Sequence, residues 1–169
     1  MRVFGLVGYS GSGKTTLLVR LIPEIVHRGV TVSTLKHAHH GFDVDQPGKD
    51  SYEHRQAGAT EVLVSSARRW ALMHESRDGK EPGPEELMRH MTNVDLLLIE
   101  GYKREGHEKL EVWRSATGKP LLAPDDRSIL AVASDGPVSG LSVPVLDLND
   151  VPAIANFILA RCGLSARSA

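Results

Sequence analysis

Val3-Phe4-Gly5-Leu6-Val7-Gly8-Tyr9-Ser10-Gly11-Ser12-Gly13-Lys14-Thr15-Thr16 is the stretch from which the rest of the chain is read. A short apolar run, Val3 to Val7, leads into a glycine-rich loop closed by lysine and threonine. From Gly8 to Thr15 the sequence fits the phosphate-binding pattern G-x-x-x-x-G-K-[ST]. The spacing has a physical reason. The apolar run suits a buried strand, and the glycines let the backbone wrap around an anion so that its N–H groups point inward. The helix that follows adds the positive end of its dipole. Gly11, Ser12, Gly13, Lys14, Thr15 and Thr16 are therefore the candidate phosphate-binding residues. Lys14 places a point charge on the phosphates and the Thr15 hydroxyl is a candidate Mg²⁺ ligand.

Bulk properties set the class without naming a function. The 169 residues are 41% hydrophobic and 24% charged, ordinary values for a soluble globular domain. A formal net charge of −1 argues against a nucleic-acid binder that works by bulk electrostatics. The single cysteine, Cys162, excludes an internal disulfide and a cysteine-based metal cluster within the chain. No run approaches the roughly 20 apolar residues of a membrane span, and no secretory signal is visible at the N-terminus. The expectation is one cytoplasmic domain over residues 1–163, with 164–169 as a disordered tail.

Working outward from the loop, Leu17, Leu18, Leu21, Ile22, Ile25 and Val26 recur at helical spacing, with Pro23 expected to kink the helix and Gly29 to stop it. Val30 to Lys36 reads as a strand, and Asp50 as the cap of a short helix ended by Gly58. Glu61 to Ser65 and Trp70 to His74 read as strands joined by a basic turn, and Pro84 to Met91 as a helix. Val94 to Ile99 is the second strong buried strand. Further strands are expected at Leu110 to Trp113, Ile129 to Ala133 and Val143 to Leu146, and a last helix at Pro152 to Cys162. Strands alternating with helices predict an α/β fold: a mostly parallel central sheet flanked by helices in three layers, as in P-loop NTPases.

A phosphate loop needs an acidic residue at the end of another buried strand to serve Mg²⁺. Glu100 closes Leu96-Leu97-Leu98-Ile99, and Gly101 lets the chain turn near a ligand, so Glu100 is the second metal candidate beside Thr15. Its alternative is a strand-end carboxylate facing solvent. For the base, Asp135 in Ala131-Val132-Ala133-Ser134-Asp135 stands where a carboxylate would accept hydrogen bonds from guanine; it reads equally as the start of a Ser-Asp-Gly-Pro turn. These residues leave ATP and GTP open.

The segment from Lys36 to Ser51 carries His37, His39, His40, Asp43, Asp45, Lys49 and Asp50. Three readings stand: a switch or effector loop contacting the ligand, a transition-metal site, or a solvated polar loop. Against the metal site, neighbouring side chains of an extended segment point apart. His54 and Arg55, on the short helix that follows, are placed to reach the same pocket. Arg68-Arg69 with Trp70 is either a phosphate-pairing patch or a basic hairpin turn. Lys103, Arg104, His107 and Lys109 form a basic segment that suits a lid over phosphate, a docking surface or a solvated loop.

Taken together, Gly8 to Thr16, Lys36-His37-Ala38-His39-His40 through Pro47-Gly48-Lys49-Asp50-Ser51, His54 to Ala59, and Leu97 to Lys103 resemble the molybdopterin-guanine dinucleotide biosynthesis protein B (MobB) family. Ala131 to Asp135 and Leu146 to Val151 are similar to it as well. The resemblance implies a homodimeric GTP-binding protein with weak GTPase activity and bound Mg²⁺. It implies an adapter beside the molybdenum cofactor guanylyltransferase, which joins GMP to molybdopterin, with molybdopterin itself a further candidate partner. On this resemblance the histidine–aspartate loop lies near the γ-phosphate or the partner. Two other classes remain open from the residues: an ATP-dependent small-molecule kinase, and a metal-delivery GTPase loading an ion on His37, His39 and His40.

Overall fold

The computed structural model describes residues 1–38 and 41–165. Its main sheet contains β1 (Arg2–Val7), β2 (Val32–Lys36), β5 (Leu96–Glu100), β6 (Lys109–Trp113), β7 (Ile129–Ser134) and β8 (Val145–Asp147). The spatial order is β2-β5-β1-β6-β7-β8, and every pairing is parallel. β1 and β5 are central, which is why Leu96 to Glu100 are buried on both faces and read as one continuous apolar run. The parallel sheet of an α/β protein expected from the sequence is present.

Pleating divides the side chains between two faces. Phe4 and Leu6 of β1, Leu96 and Leu98 of β5, Leu110 and Val112 of β6, and Ala131 and Ala133 of β7 share one core with α1 (Lys14–His27) and α4 (Val151–Arg161). α1 contributes Leu17, Leu18, Leu21 and Ile25, the stripe anticipated from helical spacing. Pro23 lies inside α1 at an exposed position. α4 is capped by the Asp150 carboxylate, which accepts a hydrogen bond from the Ala153 N–H.

Around β6 the opposite face is held by irregular chain and buried charge. The Lys109 ammonium, 1% exposed, donates to the Lys103 carbonyl, the Asp126 carboxylate and the Ser128 hydroxyl. The Glu111 carboxylate accepts from the backbone N–H groups of Leu122 and Ala123 at 2.9–3.0 Å. Both charges are fully hydrogen-bonded, the condition under which a charge can be buried without prohibitive cost. Together they tie residues 103 and 122–128 to the sheet.

The described chain groups into two compact units, Met1–His37 with Met91–Ala169, and Ala38–His90. The second unit contains α2 (Asp50–Gln56), the antiparallel pair β3 (Glu61–Ser65) and β4 (Trp70–His74), and α3 (Pro84–Met88). Asp50 is the first helical residue of α2 rather than its cap. Lys49 holds the cap position and no side chain caps that end, so Asp50 complements the helix dipole from the first turn. On one face of the hairpin Leu63 pairs with Leu72, and Ser65 with Trp70; Leu63, Leu72 and Trp70 are all exposed.

Candidate nucleotide site

The site grows from the junction of β1 and α1. Gly8 has φ +145°, and a side chain there would run into the Val112 carbonyl and the Ser12 hydroxyl. Gly13, at φ +94°, occupies the cap position of α1, and no side chain caps that helix end. The N–H groups of the first helical turn, which have no intrahelical acceptors, are therefore left for an anion. Ser12 is buried, and its Oγ has no hydrogen-bond partner among the described residues.

Lys14 lies across the loop it belongs to, its Nζ donating to the carbonyls of Gly8 and Tyr9 at 2.9 Å each. Burial lowers its pKa, the nearby Glu100 opposes that shift, and Lys103 and Lys36 add to it. Cations thus converge on this loop. Lys103 Nζ sits 4.5 Å from the centre of the Tyr9 ring, and Lys36 Nζ lies 3.8 Å from Glu100 Oε2.

The two metal candidates meet. Thr15 Oγ1 donates to Glu100 Oε1 at 2.8 Å, although 85 residues separate them. β5 delivers Glu100 because it runs parallel beside β1 with Leu6 opposite Glu100, so both strands end at the loop. A hydroxyl and a largely buried carboxylate side by side form an all-oxygen donor set that suits Mg²⁺, with water completing an octahedron. The turn after Glu100 is unusual. Gly101 has φ +97°, a side chain there would press on His37, and Tyr102 has φ +48° with its ring 4.7 Å from the His37 ring. A non-glycine residue held at positive φ beside a site is a known mark of functional constraint.

Asp135 follows β7, and its Oδ2 lies 3.1 Å from Arg114 Nη1. It also lines a cleft of about 320 Å³ formed with Ser134, Gly136, Val145, Leu146, Asp147 and Asn149, beyond the carboxyl ends of β7 and β8. Ligands of open parallel sheets bind at those ends. Arg114 was not singled out in the sequence. It is the first residue after β6, and only the adjacency of β6 to β1 reveals its place beside Gly13.

The switch-loop candidates divide between the two units. In the first, the His37 N–H donates to the Glu100 carbonyl at 2.9 Å. In the second, Asp43 and Asp45 are clamped by Arg55, whose Nη2 reaches Asp43 Oδ1 at 2.7 Å and Asp45 Oδ1 at 2.8 Å. The Asp45 hydrogen bond is the largest cause raising the Arg55 pKa. Arg55 also meets Glu75 and lies over the Tyr52 ring, so it organises its own unit. His39 and His40 lie outside the described residues. Among the described residues no group of three or more His, Cys, Asp or Glu side chains is arranged to hold a metal, and no helix is long and apolar enough to cross a membrane.

Comparison with known proteins identifies the family. Residues 3–135 match the family model described as "Molybdopterin guanine dinucleotide synthesis protein B". A protein of Escherichia coli (strain K12) named "Molybdopterin-guanine dinucleotide biosynthesis adapter protein" is 44% identical over 160 residues, covering 93% of this chain and 91% of that protein. A protein of the same name from Haemophilus influenzae is 42% identical over 162 residues, covering 92% and 86%. The fold superposes with a TM-score of 0.75 on a structure titled "Crystal Structure of molybdopterin-guanine biosynthesis protein B (mobB)". That structure is 28% identical, and the match covers 95% of this chain and 99% of that one. The chain belongs to the molybdopterin guanine dinucleotide synthesis protein B family.

Proposed function

We propose that this chain is a GTP-binding adapter with slow GTPase activity that works with a guanylyltransferase joining GMP to molybdopterin. The observation that carries the nucleotide part is the Thr15–Glu100 contact at the mouth of the loop, with Lys14 beside it. Gly11 to Thr16 hold the phosphates, Lys14 leaves the loop carbonyls for the β- and γ-oxygens, and Thr15 and Glu100 hold Mg²⁺. When bound, that ion would neutralise phosphate charge. The cleft beside Asp135 is the place for the base, with the carboxylate accepting from the guanine edge.

Slow turnover is supported by the state of the nearby carboxylates. Glu100 is engaged by Thr15 and Lys36, and Asp135 by Arg114, so neither stands as a ready base for an attacking water. The adapter role and its cytoplasmic setting rest on the family, and so does a homodimer. The exposed Leu63, Leu72 and Trp70 face of the β3–β4 hairpin offers such a dimer an apolar surface.

The test is reconstitution. Guanylyltransferase, molybdopterin, GTP and Mg²⁺ are combined with and without this protein, and the guanine dinucleotide is quantified by chromatography. The proposal expects more product with the protein than without it, and loss of that gain with Lys14→Ala. Equal product in both mixtures would overturn the adapter role.

A further inference from the structure

Arg114 stands between the two halves of the site. Its Nε lies 3.2 Å and its Nη2 3.6 Å from the point where a side chain at Gly13 would begin, at the open N-terminal end of α1. Its Nη1 donates to Asp135 Oδ2 at 3.1 Å. One edge of the guanidinium is thus spent on the carboxylate lining the base cleft. The other edge faces the phosphate loop and makes no hydrogen bond among the described residues.

The pair does not explain itself as a prop for the fold. The Arg114 and Asp135 side chains are 35% and 25% exposed and share a single contact, and ion pairs of that kind contribute little to stability. Nor does Arg114 pack in the core. A planar five-donor fork is suited to gripping a carboxylate and a phosphate oxygen together, which a lysine ammonium on its flexible stem cannot reproduce.

We propose that Arg114 contacts the phosphate chain of the bound nucleotide while fixing Asp135 for the guanine edge, so that phosphate binding and base selection are coupled through one side chain. This rests on the GTP reading above and extends it. Nη1 holds Oδ2 of Asp135 and leaves Oδ1 to accept from guanine N1–H and the 2-amino group. Nε and Nη2 close on a phosphate oxygen above Gly13. Removing Arg114 then loses a phosphate contact and also frees Asp135 to turn, which blunts discrimination against a base lacking the 2-amino group.

The experiment is calorimetric titration of GTP and of ITP, each with Mg²⁺, into the parent protein, Arg114→Ala and Arg114→Lys, with thermal melting of each. For Arg114→Ala a GTP affinity loss of roughly ten- to hundredfold is expected. The GTP-over-ITP ratio should fall toward unity, with an unchanged melting temperature. Arg114→Lys keeps the charge but not the fork, so the ratio should collapse with a smaller loss of affinity; it also serves if the alanine variant fails to fold. A ratio unchanged in both variants would overturn the coupling even if affinity fell, and so would unchanged affinity in both. A parent protein that binds no GTP would instead sink the nucleotide reading itself, a result visible in the first titration.

Discussion

Glu100→Gln separates the proposed metal role of that residue from its structural one. The amide keeps the shape of the side chain and an oxygen to accept the Thr15 hydroxyl, so the 2.8 Å contact survives. The pairing with Lys36 is long at 3.8 Å, and Lys36 is 59% exposed, so its loss costs little stability. The charge itself matters more, because Glu100 is only 8% exposed. At an effective dielectric of about 20, each pair of unit charges about 4 Å apart interacts by roughly 4 kcal/mol. Mg²⁺ carries two charges, which doubles that attraction, and dehydration of the carboxylate with its competing attraction to Lys36 and Lys14 removes roughly three-quarters of the total. Some 2 kcal/mol remains, about thirtyfold in affinity. The assay is calorimetric titration of GTP in EDTA and in Mg²⁺. The parent should gain affinity on adding Mg²⁺, and in the variant that gain should shrink by about thirtyfold. In EDTA the variant should bind at least as tightly as the parent, because a negative charge facing the phosphates is gone. An unchanged gain from Mg²⁺ would refute the reasoning.

Three other outcomes are expected. Lys14→Ala removes the charge and the two hydrogen bonds to Gly8 and Tyr9. GTP affinity should fall at least about hundredfold with about 1–2 kcal/mol of stability lost, and near-normal affinity would count against the loop assignment. Lys109→Met leaves Asp126 and the Lys103 carbonyl without their buried partner, and urea unfolding should show a loss of about 3 kcal/mol; a loss below about 1 kcal/mol would show that the anchor is dispensable. His107 has its pKa lowered from 6.5, first by burial and then by Lys109. The unfolded state therefore binds the proton better, and stability should drop as pH falls from 6.5 toward the lower folded value, then level off. His107→Gln should flatten that slope in melting curves measured across the window, and an unaltered slope would assign it to other groups.

What the sequence made legible was local or strongly patterned. The glycine-rich turn between β1 and α1, α1 itself and β5 follow from a short motif, a helical stripe and an apolar run, and β3 and β4 have the bounds read for them as two strands joined by a basic turn. Asp50 misled because an acidic residue before a helical pattern reads the same whether it caps the helix or opens its first turn. Lys109-Leu110-Glu111-Val112 has the alternation of a strand with one wet face. Nothing nearby announces that residues 103 and 122–128 bury that polar face and satisfy it. Arg114 was invisible for a related reason. Its partners, Gly13 and Asp135, lie far off in the chain and meet it only through the order of β1, β6 and β7. The Arg55 clamp on Asp43 and Asp45 was hidden for the same reason: charges that read as ligand-contacting in the sequence are in part paired within their own unit.

The central claim is that the loop between β1 and α1, together with the cleft at Asp135, binds GTP with Mg²⁺. Calorimetric titration of the purified protein with GTP and then ATP, each with Mg²⁺, tests it most directly. The account predicts a saturable one-to-one isotherm for GTP and clearly weaker binding of ATP. Equal or tighter binding of ATP, or no heat with either nucleotide, would contradict it.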